Sequence, residues 1–426
     1  MVSPRTAQRT WLPLHFDAGM GALRGDFESR RSAFSRVSTR IPGQYTLPLL
    51  ARDANPTGIS NSQTDYAAIA EVWDPTNEAI RVILAKGTKI YDATAATFTD
   101  RTPSGLHAST QGRQVHRSIA TETEPVGTTP LFWACGESEI AQMSADGLTW
   151  EDYTSGTSTV RDVYAACFWD QWEPNNETTF LCFVGDAPST GLSPSDWDLG
   201  RIWYEPTTTG AGPAKTGIRV PPLDSLGQFL IGQESTARTI IGSGPTIWVM
   251  TVTDLISQAE IEQFPLPFYV KCGCYYPPSG DCVVSDGAGY VGLWHWDRPL
   301  RDISPWREQG CPYDMAGGFK SFEVLDDKIL ALYELDSGGC LILWYDPRST
   351  QWHVDSHLLF GGHCLGNQAM AISGETVTGT RRLWVVTADG TNDAWVWYID
   401  LPDVGENPLP GGPNYTARYA RDANVQ

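Results

Sequence analysis

The sequence predicts an all-β fold, and three observations carry that reading. Glycine (41), proline (29) and tryptophan (17) are abundant while charged residues are sparse at 19%, a composition of short strands and tight turns rather than long helices. Short apolar runs alternate with turns of Gly, Asp or Ser along most of the chain. One strand–turn–strand shape then recurs at intervals of several tens of residues, the signature of a repeat architecture.

The first clear copy is Arg81-Val-Ile-Leu-Ala85, a turn at Lys86-Gly87, Thr88-Lys-Ile-Tyr-Asp92 and then Phe98-Thr-Asp-Arg-Thr102. The second is Leu131-Phe-Trp-Ala-Cys135, a turn at Gly136-Glu137, Glu139-Ile-Ala-Gln-Met143 and Leu148-Thr-Trp-Glu-Asp-Tyr153. Phe180–Val184 and Arg201–Tyr204 form a third, joined by a long polar loop. Thr246–Thr251 is a weaker copy, with Glu260–Phe264 as its partner. Cys282–Asp286 turns through Gly287 into Tyr290–Asp297, and Ile329–Tyr333 turns through Gly338-Gly339 into Leu341–Asp346 and Gln351–Val354. Leu383–Val386 and Ala394–Tyr398, joined at Asp389-Gly390, make the last. No such hairpin can bury both of its faces alone, and stacking the sheets radially does so. The expected fold is therefore a β-propeller of six or seven blades spanning residues 66–402, with a C-terminal tail over 403–426. Two stacked β-sandwiches are the competing architecture, but they do not require one hairpin to recur this often.

Residues 1–65 stand apart as an extended N-terminal arm. They hold eight arginines, no lysine and five acids, a charge of +3, against −23 for the remainder of a chain whose net charge is −20. A polar, Arg-rich segment buries little surface by itself and is ordered by what it lies against. Arg24, Arg30, Arg31 and Arg36 fall in its least apolar part and are the expected interface residues, since guanidinium groups pair bidentately with carboxylates.

The acidic balance, with a pI near 4.7, argues against nucleic acid as a partner of the folded body. No run is long and apolar enough for membrane insertion, and the opening shows no signal-peptide pattern. The expectation is a protein made in a cytoplasm with reduced thiols, although the nine cysteines are an odd number.

Four constellations bear on chemistry. Ser144-Ala-Asp-Gly-Leu-Thr-Trp150 resembles the Asp-box of sialidases, one residue short of the usual spacing, and Arg40-Ile-Pro42 resembles their N-terminal arginine motif. The resemblance implies a sialidase-like glycosidase, but the Asp-box is also a folding element of non-enzymatic propellers. Cys272-Gly-Cys274, Cys282 and His363-Cys364 suggest zinc, but structural sites use two Cys-x₂₋₄-Cys pairs, so the reading is buried thiols with no metal and no other cofactor. The pairs Asp326-Asp327 and Glu151-Asp152 read as solvated turn or edge acids. Finally, Trp203, Trp294, Trp296, Trp344, Trp352, Trp395 and Trp397 recur at like places in the units. They serve either as packing between blades or as the stacking platforms of a carbohydrate-binding, lectin-like propeller.

Two phrases give a further resemblance. Trp11-Leu-Pro-Leu-His-Phe-Asp-Ala-Gly-Met-Gly21 leads into the arm, and Lys86-Gly-Thr-Lys-Ile-Tyr-Asp92 with Phe98-Thr-Asp-Arg-Thr-Pro103 is similar to first-blade phrases of tail nozzle and tail-hub proteins of tailed bacteriophages. The long insertions that some nozzle proteins carry are missing, which leaves open a nozzle, a fibre-docking hub or another virion protein. The resemblance implies a non-enzymatic virion subunit in the phage tail. Its partners are then other copies of itself in a ring and other tail proteins, with DNA at most passing through the channel.

Overall fold

The computed structural model describes residues 50–52 and most of 67–400. Among the described residues there is no α-helix, and the strands form six four-stranded antiparallel sheets, one five-stranded sheet and one two-stranded ribbon. After β1 (Leu50–Arg52), the first sheet is β2 (Ala67–Asp74), β3 (Ala79–Lys86), β4 (Lys89–Asp92) and β5 (Thr99–Asp100). The second is β6 (Val115–Thr121), β7 (Phe132–Glu137), β8 (Gln142–Ser144) and β9 (Trp150–Asp152), followed by the ribbon β10 (Thr154–Ser155) and β11 (Ser158–Thr159). The third is β12 (Val163–Gln171), β13 (Thr178–Gly185), β14 (Arg201–Pro206) and β15 (Thr216–Ile218). The fourth is β16 (Phe229–Gln233), β17 (Arg238–Ser243), β18 (Thr246–Thr251) and β19 (Glu260–Pro265). The fifth is β20 (Cys272–Tyr276), β21 (Asp281–Ser285), β22 (Val291–His295) and β23 (Arg298–Asp302). The sixth is β24 (Gly317–Leu325), β25 (Lys328–Leu335), β26 (Cys340–Asp346) and β27 (Gln351–Phe360). The seventh gathers β28 (His363–Cys364), β29 (Met370–Ser373), β30 (Arg382–Ala388) and β31 (Ala394–Asp400), and adds β1 at its outer edge.

The first strands of successive sheets touch in order, β2 to β6, β6 to β12, β12 to β16, β16 to β20, β20 to β24 and β24 to β29, and β29 returns to β2. The ring is closed, and the fold is a seven-bladed β-propeller, the higher of the two expected blade counts. Apolar clusters fill the seams between blades. The closing seam joins Ile69, Val82, Leu84 and Tyr91 of blade 1 to Ala371, Trp384, Val386 and Val396 of blade 7.

β1 shifts one boundary. Leu50, Ala51 and Arg52 pair antiparallel with Ile399, Tyr398 and Trp397, so part of the segment read as an arm supplies the outermost strand of the last blade. The remainder of that segment, with Arg24, Arg30, Arg31 and Arg36, lies outside the described residues, as does the C-terminal tail.

A local device repeats at strand ends. In Asp92-Ala-Thr94 the aspartate accepts the Thr94 N–H at 3.0 Å, and the Thr94 hydroxyl accepts the Val82 N–H at 2.9 Å. Asp100-Arg-Thr102 does the same for Ile90, at 2.9 and 3.1 Å, and Asp302-Ile-Ser304 for Val291, at 2.9 Å for both bonds. The aspartate stops the strand in a turn of its own, and the hydroxyl satisfies a neighbouring strand's donor where the backbone ladder has ended.

Hairpins lie at Gly287 and at Gly338-Gly339, whereas Gly136-Glu137, read as a turn, belongs to β7 and pairs with His116 and Val115 of β6. Gly287, Gly338 and Gly339 have φ of 72°, 93° and 90°, a region that side chains rarely enter. Glu260–Phe264 proves to be the partner of Thr246–Thr251, with Thr251 opposite Glu260. The sequence pattern did not separate the innermost strands, nor β15, β17 and β23.

Candidate functional site: the blade ends and the axis

Turns between the first and second and between the third and fourth strands of each blade lie at one face of the disc, here the lower face. The Asp-box resemblance sits there, between β8 and β9. The Ser144 hydroxyl accepts the Gly147 N–H at 2.8 Å, and Asp146 Oδ1 accepts the N–H groups of Leu148 and Thr149 at 2.8 and 2.7 Å. Trp150 donates its indole N–H to the Gly147 carbonyl at 3.1 Å and packs with Ala68, Ala70, Val72 and Ile83 of blade 1. The motif's polar side chains bond to its own backbone and to one another, and Trp150 ties the turn to blade 1. Arg40-Ile-Pro42 lies outside the described residues.

The same face carries interlocked charges. In blade 1, Arg81 bridges Asp74 at 2.7 Å and Asp92 at 3.1 Å, with Arg101 3.8 Å from Asp92. Burial opposes ionisation of Asp74, but hydrogen bonds from Asn77 and Arg81 prevail and hold its carboxyl below the usual range. In blade 6, Lys328 is fully buried, bonded to the Asp327 carboxylate and 3.5 Å from Asp346. Tyr276 of blade 5 reaches over to donate to the Asp327 carbonyl at 2.8 Å, and burial pushes its hydroxyl up to about 12. In blade 5, Arg298 lies 3.4 Å from Asp281 and 3.3 Å from Asp297, and His295 both contacts Asp297 and stacks on Trp296. A cation opening the second strand faces a carboxylate closing the third in blades 1 and 6, and Arg382 pairs in register with Asp400 in blade 7.

The tryptophans divide by role. Trp294, Trp344, Trp352 and Trp397 are buried. Trp352 and Trp397 donate their indole N–H groups to the Ile303 carbonyl and the Thr387 hydroxyl. Trp294 meets Phe264 edge-on at 5.2 Å. Trp296 is half-buried and covered by His295 and by the Arg238 guanidinium 3.9 Å from its ring centre. These five rings pack within the molecule, whereas the side chains of Trp203 and Trp395 lie outside the described residues. Among the described residues the exposed aromatic is Tyr269, in the connection from β19 to β20, beside the Phe268–Tyr290 pair.

Cys272, Cys274, Cys282, Cys340 and Cys364 are free thiols. Burial pushes Cys272 and Cys340 up to about 12, far from reactive thiolate character. Cys272-Gly-Cys274 lies on the innermost strand β20, where small side chains fit the crowded axis. Among the described residues no group of three or more His, Cys, Asp or Glu is placed to hold a metal ion. His363 and Cys364 instead meet the Glu334 carboxylate of blade 6, through His363 Nδ1 at 2.9 Å and the Cys364 N–H at 3.1 Å. Of the acid pairs, the Asp327 carboxylate engages Lys328, while Asp326 and the side chains of Glu151-Asp152 lie outside the described residues.

The axis holds what the sequence did not single out. Glu71 on β2 and Glu323 on β24 belong to blades 1 and 6 and sense each other's charge. Burial, reinforced by Glu71, pushes the Glu323 carboxyl up to about 8. The available signal was a lone acid in an otherwise apolar run, Ser321-Phe-Glu-Val-Leu325.

No known protein family matches the chain, and no curated protein matches it. Solved structures do. The chain resembles U3-55K with a TM-score of 0.51 at 11% identity, over 83% of this chain and 98% of that one. It resembles the RRP9 WD40 repeats with a TM-score of 0.50 at 11% identity, over 83% of this chain and 100% of the other. It also resembles the extracellular domain of the putative hybrid two component system BT4673 from B. thetaiotaomicron, with a TM-score of 0.51 at 10% identity, over 84% and 40% of the two chains. The likeness is one of fold. Propellers of this shape host unrelated activities, so function has to be argued from this chain's own residues.

Proposed function

We propose that this propeller is a non-enzymatic structural subunit of a tailed-bacteriophage virion, a ring-forming tail nozzle or hub component. One observation carries the reading: the residues that looked like chemistry are used as fasteners. The Asp-box aspartate caps its own turn, four of the recurrent tryptophans are buried, and Asp327 engages the buried Lys328. The phrase Lys86–Pro103, on which the tail-protein resemblance rests, contributes β4 and β5 of blade 1. Net charge of −20 suits a wall past which DNA slides without adhering.

The decisive experiment is negative-stain imaging of the purified protein beside mass spectrometry of purified phage particles. Rings, and the chain's presence in virions, are the expected result. A monomer that binds a glycan array or cleaves a fluorogenic sialoside overturns it.

A further inference from the structure

The closing strand of blade 7 differs in origin from the outermost strands of the other blades. It is three residues long against seven for β31, its neighbour. It pairs only with Trp397–Ile399, so among the described residues no strand lies outside Ala394–Val396. It also comes from the far end of the chain and is separated from β2 by residues 53–66.

Within one subunit that connection crosses from the outermost strand of blade 7 to the innermost of blade 1, roughly 20 Å at about 4.8 Å per strand. A segment of its length reaches about 45 Å when extended. The covalent chain therefore does not confine β1 to its own seventh blade.

We propose that β1 is exchanged between copies, so that Leu50–Arg52 of one chain closes blade 7 of the next; this rests on the ring-forming reading above. The contacts at β31 are the same whichever chain supplies the strand, so exchange sacrifices none of them. Donor and acceptor are different surfaces of the subunit, a head-to-tail contact that generates a ring when the rotation closes. Three paired residues form a weak clasp for one chain, but in a ring every copy both gives and receives a strand, and the holds reinforce one another.

The test uses the full chain, with cysteines placed at paired positions: Ala51→Cys with Tyr398→Cys, and separately Leu50→Cys with Ile399→Cys. Two copies of different length are co-expressed, oxidised gently and run on non-reducing gels beside the parent protein. Exchange predicts that more than half of the cross-linked material joins chains to one another, including long-to-short pairs. Links confined to single chains overturn it. If those samples still contain ring-sized particles by light scattering, the ring-forming reading survives without exchange; if they contain only monomers, both fall.

Discussion

Gly147 shows how tightly a single position is held at a blade seam. Its φ is 70°, and a Cβ placed there would meet Val72 Cγ2 of the neighbouring blade at 2.6 Å. Gly147→Ala should therefore cost about 2–3 kcal/mol, backbone strain and overpacking together, read as a lower midpoint in urea unfolding. The buried ammonium of Lys328 makes the opposite point, since its environment is built from charges. Asp346→Ala should cost about 3 kcal/mol by leaving that cation underpaired, while the double change Lys328→Met with Asp346→Leu should recover most of the loss. A single change as mild as the double one would show that Asp327 alone satisfies the lysine. Glu323 gives a pH signature. Its carboxyl ionises near 4.5 when free and at about 8 in the fold, so between those values the unfolded chain has lost a proton that the folded chain retains. Stability falls as pH rises through that window. Glu323→Gln should match the parent in melting temperature near pH 4 and exceed it by pH 8; a constant offset at all pH values would contradict this.

At the scale of elements, the second, third and fourth strands of most blades could be read from the sequence, because they are apolar or aromatic runs ended by Gly, Asp or Ser. The innermost strands could not. Ala67-Ala-Ile-Ala70, Cys272-Gly-Cys274 and Gly317-Gly-Phe319 hold small residues because first strands crowd the axis, and small residues carry little strand signal. For the same reason the cysteines resembled a ligand pair, and the axial acids were passed over. β1 was invisible too: three residues have no period, and their partner lies at the other end of the chain. This makes two truncations informative. Removal of residues 1–40 should leave a folded propeller with unaltered circular dichroism but no assembly. Removal of residues 1–56 also takes β1 and should lower the melting temperature as well. Equal melting temperatures for the two would show that β1 holds nothing.

Across the whole molecule, stability belongs to the circle. No blade buries both of its faces until its neighbours are present, and the clusters at the five described seams each draw residues from two blades. A lesion at the Asp-box turn of blade 2 or at the Lys328 site of blade 6 should therefore lower one shared unfolding transition, not melt a single blade. Scanning calorimetry of Gly147→Ala would resolve separate transitions if the blades were independent. Surface chemistry follows from the same economy, because rings and charges used to seal seams and strand ends are withdrawn from solvent.

The pairing of β1 with β31 also sets an order of events during synthesis. Leu50 leaves the ribosome early and Ile399, its partner, emerges roughly 350 residues later, an interval of about 20–70 s at ordinary elongation rates. Throughout that time the first blades can stack on one another, but the disc has a gap and the closing strand has nothing to bind. Nascent chains borne on one message are in that condition side by side, each with a free early strand and an edge still to come. The emergence of β31 is then when a chain either shuts on itself or is joined to its neighbour, and the spacing of ribosomes becomes a determinant of assembly.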